Sequence, residues 1–170
     1  MQVLRRQHQA STELYTEAER RRRDSSPWTL VQGILAPLQF AVFLVSLGLV
    51  LRTLATGEGV FAANLSIILK TLLLYTIMVT GSLWEKDVFG KYLFAPAFFW
   101  EDAVSFVVIA LHTAYLVCLL TEALNETELL ILALVAYATY VINAAQFLLK
   151  LRAARLGRRS STLDQAEAVS

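Results

Sequence analysis

Residues 98–121 read FFWEDAVSFVVIALHTAYLVCLLT, and this stretch decides the fold. After Asp102 it carries no Asp, Glu, Lys or Arg until its end. A helix of that length rises about 1.5 Å per residue and so nearly crosses the roughly 30 Å of a bilayer's hydrocarbon. Glu101 and Asp102 stand just inside its start, where charge is costly and usually faces a bundle interior, a partner or a water-filled cavity.

Working outward, residues 29–51, 60–84 and 129–149 are equally apolar, broken only by Lys70. With 56% apolar residues and a mean hydropathy of +0.55, the 170-residue chain is too apolar for a soluble globular domain. Four spans use nearly all of it. Cys118 is the single cysteine and lies inside the third span, which excludes an internal disulfide or a thiolate metal site and marks it as an apolar filler. The leader holds Arg5, Arg6 and Arg20 to Arg23 without a hydrophobic core or small-residue cleavage site, unlike a removable signal peptide.

Basic residues fall on alternate connections. They precede the first span, occupy the second connection as Lys86 and Lys91, and follow the last as Lys150, Arg152, Arg155, Arg158 and Arg159. The other two connections hold Glu58, and Glu122, Glu126 and Glu128; Arg52 is the exception and can snorkel. The positive-inside rule then puts both termini in the cytoplasm. Short connections make sequential helices antiparallel neighbours, which gives an all-α, integral-membrane, up-and-down four-helix bundle. The expected parts are a cytoplasmic segment (1–26), the four-helix domain (27–153) and a cytoplasmic tail (154–170). Residues 1–23 and 160–170 are expected to be mobile, with a short surface helix over 15–20.

An 11-residue step returns to nearly the same helical face, so Glu101, Ser105, Val108, His112 and Tyr115 form one stripe. Asp102 diverges by about 100°, which ranks Glu101 first as the inward acid. Lys70 and His112 fall at a similar depth and can meet. Tyr140, Asn143 and Gln146 on the fourth span, and Gln32 and Gln39 on the first, bias the polar lining to the cytoplasmic half.

Two readings of these groups stay open. Gln32, Gln39, Asn143 and Gln146 serve either as interhelical hydrogen bonds or as site residues. Trp84, Trp100, Phe98, Phe99, Tyr92 and Phe94 form either an interfacial aromatic belt or a stacking surface for a flat ligand. No Gly-rich phosphate loop, helical His pair or recognisable Ser/His/Asp arrangement is present.

Longer blocks add a resemblance. SPWTLVQGILAPLQF (26–40), KTLLLYTIMVTG (70–81) leading into WEK (84–86), FAPAFFWED (94–102), HTAY (112–115) and YATYVINAAQF (137–147) together resemble the 3-vinyl bacteriochlorophyllide hydratase family over about residues 15–155. The resemblance implies a hydro-lyase that adds water to the C3 vinyl group of chlorophyllide a or its bacteriochlorin counterpart, giving the 3-(1-hydroxyethyl) pigment. It implies a multi-pass protein of the bacterial inner, intracytoplasmic membrane, in contact with lipid and pigment and with no nucleic-acid partner. A homo-oligomer, or association with other pigment-biosynthesis enzymes, is compatible with it. No cofactor is expected, since magnesium arrives with the substrate.

For such chemistry the catalytic candidates are Glu101 as general acid, Asp102 or Glu85 as base, Asp102 being the more exposed neighbour, and His112 as proton relay or ligand to the substrate's magnesium. Lys70, Trp84, Trp100, Tyr115, Tyr140, Asn143, Gln146 and Gln39 are the substrate-binding candidates. Lys70 would pair with a substrate carboxylate or hold Glu101 ionised, while Lys86, Lys91 and Arg20 to Arg23 lie better placed to attract the propionate. The rival functions are a non-catalytic tetrapyrrole carrier or assembly factor and a small proton-coupled transporter.

Overall fold

The computed structural model describes residues 14–167, with side chains over 14–155. The described residues are helical, with no strand among them. A short helix, α1 (Glu17–Ser25), precedes α2 (Pro27–Thr56), α3 (Val60–Phe89), α4 (Phe99–Thr121) and α5 (Glu126–Glu167). All four long helices have the length and apolar character to cross a membrane.

Local chemistry sets the boundaries. Pro27 opens α2, where a missing N–H costs nothing. Gly57 (φ +72°) and Gly90 (φ +78°) close α2 and α3 in the left-handed conformation that needs no Cβ. At the start of α5, Asn125 and Glu128 cap each other's backbone N–H at 3.0 Å each.

The short helix expected over residues 15–20 is present, shifted to Glu17–Ser25. Thr16 and Glu19 form a capping box for α1, and Tyr15 is buried with its ring stacked 5.7 Å from Phe89. Burial also pushes the Tyr15 phenol up to about 12, so it stays neutral against this apolar surface. Residues 1–13, which include Arg5 and Arg6, lie outside the described part, as do 168–170. At the other end α5 runs on past the fourth apolar span to Glu167, through residues read from sequence as the start of a tail.

Helix α2 packs along α3, and α4 along α5; the two pairs meet through α2 against α5 and α3 against α4. Small residues permit the close approach, with Ala63, Ser46 and Ala133 fully buried beside Ile67, Val108 and Tyr115. Large apolar side chains such as Leu30, Phe61, Val79, Leu120 and Leu148 point outward, as a lipid-facing surface requires.

At the centre the Ser46 hydroxyl lies 2.6 Å from both Ser66 Oγ and Tyr137 Oη, joining α2, α3 and α5. Ser46→Ala strands the buried Tyr137 hydroxyl. It is expected to destabilise the protein by about 1–2 kcal/mol, read as a lower thermal unfolding midpoint in detergent, with Tyr137→Phe in the same background recovering most of the loss.

Candidate active site

Two polar layers occupy the interior. The outer one gathers at the end shared by the α3 C-terminus, the connection 90–98 and the α4 N-terminus. Glu85, Glu101 and Asp102 are all buried there, with exposures of 5%, 6% and 3%.

The connection folds over two of these acids. The Phe94 N–H donates to Asp102 Oδ2 at 2.7 Å and the Ala95 N–H to Glu85 Oε2 at 3.1 Å. Both carboxyl groups are thus gathered under consecutive amides of one connection. Phe94 sits at φ +58°, a left-handed backbone costing about 1–2 kcal/mol for a residue with a Cβ. The hydrogen bond from its N–H to Asp102 and its ring, stacked 5.5 Å from Phe106, hold it there.

Glu101 turns the other way. Its Oε2 is 2.6 Å from Lys150 Nζ of α5, and its carbonyl accepts from Asn143 Nδ2 and Ser105 Oγ, each at 2.8 Å. Adjacent acids thus serve different neighbours, Asp102 the 90–98 connection and Glu101 helix α5, as their angular separation on α4 allows.

Two expectations need correction. Asp102 is not the more exposed acid, because the connection lies across it. The cation beside Glu101 is Lys150, not Lys70, whose amino group is held deeper, 3.8 Å over the Tyr140 ring.

Aromatic rings wall this layer. Phe98 stacks on Phe147 at 5.8 Å and meets Trp84 edge-on at 5.6 Å, while Lys150 Nζ lies 5.1 Å over the Phe98 ring. Trp84 Nε1–H donates to Thr29 Oγ1 at 2.9 Å, tying α3 to α2. Trp100 is 71% exposed and packs edge-on against Phe99 at 5.5 Å.

The inner layer lies about 16 Å deeper, the rise over the 11 residues from Glu101 to His112. The predicted stripe of α4 is buried throughout, and Lys70 and His112 do meet at one ring: Lys70 Nζ is 5.4 Å from Tyr137 and the His112 ring 5.8 Å from it. His112 Nδ1 donates to the Val108 carbonyl at 2.8 Å, leaving Nε2 as the free ring nitrogen. Tyr140 floors the Lys70 amino group, and Tyr115 donates to Asn64 Oδ1 farther from the acids.

Each long helix leaves a buried polar atom without a hydrogen-bond partner among the described residues: Gln39 Nε2 and Oε1 on α2, Lys70 Nζ on α3, His112 Nε2 on α4 and Gln146 Oε1 on α5. Gln32, by contrast, is satisfied by Thr80 Oγ1 at 2.7 Å, an ordinary interhelical bond. No group of three or more His, Cys, Asp or Glu side chains suited to a metal ion occurs among the described residues.

Sequence reasoning left Lys150 among the basic residues after the last span. The signal was its spacing: Asn143, Phe147 and Lys150 follow at four and three residues, on one face of α5. The amides of Phe94 and Ala95 gave no signal, since any residue supplies an N–H.

A family model described as 2-vinyl bacteriochlorophyllide hydratase matches residues 15–153. The chain is similar to proteins named 2-vinyl bacteriochlorophyllide hydratase from Rhodobacter capsulatus and Cereibacter sphaeroides. Each is 71% identical over 143 residues, covering 84% of this chain and 83% and 89% of theirs. No solved structure matches it.

Proposed function

This chain belongs to the 2-vinyl bacteriochlorophyllide hydratase family, and from that membership we propose how its buried acids add water to the vinyl group of a bacteriochlorophyll precursor. It is a hydro-lyase of bacteriochlorophyll biosynthesis. The 2-vinyl and 3-vinyl labels denote the same substituent under two ring numberings.

A vinyl group takes up water only after a proton reaches its terminal carbon. The cation that forms on the carbon beside the macrocycle spreads into the conjugated ring; water oxygen bonds there and gives up a proton. Net uptake is one water molecule, and the cycle closes when the proton taken from water passes back from the accepting group to the donor. Addition of water is redox-neutral, so this route calls on no redox cofactor, and the magnesium belongs to the substrate.

The observation that carries the assignment of roles is that Glu85 and Asp102 are buried under the consecutive amides of Ala95 and Phe94, beside a Glu101 tied to Lys150. Two carboxyl groups buried together disfavour double ionisation, so the pair is assigned the general acid. Glu101, facing a lysine ammonium, fits the carboxylate that steadies the cation and receives water's proton. This allocation reverses the sequence-based one, which gave the acid role to Glu101. His112, with Nδ1–H committed to a backbone carbonyl, offers Nε2 as an acceptor or ligand.

The same reading sets the frame. The helix pairing supports an up-and-down bundle, and the basic residues Arg20 to Arg23, Lys86, Lys91, Lys150 and Arg152 cluster at the acid-bearing end, with Glu58, Glu122, Glu126 and Glu128 at the other. Both termini then face the cytoplasm, from a bacterial inner or intracytoplasmic membrane. Pigment enters from lipid, edgewise, past the small exposed residues Gly33 and Ala36 of α2; a Cβ added at Gly33 would meet nothing within 4 Å.

The test supplies purified protein with vinyl pigment in ¹⁸O-labelled water. The expected product carries the label on its hydroxyethyl oxygen, with the pigment's red absorption band shifted to shorter wavelength. Pigment bound and released unchanged would identify a carrier instead.

A further inference from the structure

We infer that the inner polar layer is the second anchor of the same pigment, with the Lys70 amino group receiving the propionate carboxylate on the edge opposite the vinyl group. The inference rests on the hydratase reading and extends it to substrate selection. The rings around Lys70 Nζ, at 3.8 Å (Tyr140), 5.4 Å (Tyr137) and 5.9 Å (Phe43), attract a cation through their faces, yet they supply no acceptor for its N–H groups. Lys70 is fully buried, and its Nζ has no hydrogen-bond partner among the described residues. An amine placed so deep in an apolar bundle is costly unless an acceptor arrives.

The pigment brings one. Its vinyl group and its propionate, with the neighbouring ring ketone, lie on opposite edges of the macrocycle. The acid layer and the Lys70 layer are separated by about 16 Å along α4, which suits a tetrapyrrole held by both edges. Gln39, 2% exposed and one turn from Phe43 on the side of the acids, offers an unpartnered Nε2–H to the ketone. Surface cations do not meet this geometry: Lys86 donates to the Gly90 carbonyl at 3.2 Å, on the exposed outside of the acid layer.

Binding of the free-acid pigment and of its propionate methyl ester, each read by pigment fluorescence quenching, tests the idea without depending on turnover. The wild-type protein is expected to favour the acid by roughly 30-fold or more, the usual consequence of removing one partner from a buried charge pair. Lys70→Met, and independently Lys70→Gln, should bring that ratio close to one, whereas Lys86→Met should preserve it. The ratio reports folded protein only. A wild type indifferent to esterification, a Lys70 variant that keeps the preference, or its loss on Lys86→Met would each overturn the inference while leaving hydration intact. Failure of the wild type to hydrate either pigment would instead bring down the reading of function, and this inference with it.

Discussion

Glu85→Gln lowers the rate of vinyl hydration by about a thousandfold, within the span attributed to a positioned general acid, and leaves pigment binding nearly unchanged. The amide preserves the volume of the side chain and keeps an oxygen for the Ala95 N–H, bonded at 3.1 Å in the native protein. What it removes is the carboxyl group proposed to deliver the proton. Asp102→Asn acts on the same proton, so it is expected to cost a similar factor. The double variant should then be little worse than either single one, because residues that act as a unit are strongly non-additive. Initial rates followed by the absorption shift, with binding measured separately, decide the matter. A Glu85→Gln protein within about threefold of wild type would take the proton donor elsewhere, whereas independent, multiplicative losses would mean two separate roles.

Lys150→Met is expected to destabilise the folded protein by about 3 kcal/mol, the low end for breaking a buried ion pair. The side chains are 26% and 9% exposed, so water at the Lys150 side offsets part of the cost. The penalty arises from Glu101, left as a charge whose cation is gone. Adding Glu101→Gln to Lys150→Met should therefore restore most of the stability, since the neutral amide needs no counter-ion. Activity should not return, because the carboxylate proposed to receive water's proton is missing. Thermal unfolding in detergent and hydration rate, measured on both single variants and the double, separate the structural role of the pair from its chemical one. Equal stability of Lys150→Met and wild type would show the ion pair to be dispensable.

Much of this arrangement was legible in the residues because a helix fixes angle and depth together. The stripe Glu101, Ser105, Val108, His112 and Tyr115 is buried as its spacing required, and Lys70 and His112 share a ring because each could be counted in from the end of its own helix. What escaped depends on which helix lies next to which. Lys150 reads as one more cation at a membrane boundary until α5 is set against α4. Tyr15 gives no hint of burial until Phe89 and Phe98, more than seventy positions away, supply its surface. The left-handed Phe94 is the hardest case, since nothing in Leu93-Phe94-Ala95 announces a conformation that glycine usually takes; the bonds that hold it are tertiary.

The clustering of Glu85, Glu101 and Asp102 at a single end of the bundle carries an electrical consequence. Moving one elementary charge across a whole membrane involves about 2.3 kcal/mol per 100 mV. On the proposed allocation of roles, the groups that give and receive the proton both lie at this one end. With those roles, each turnover would close its proton circuit at that end, and a voltage across the membrane would neither drive the reaction nor hold it back.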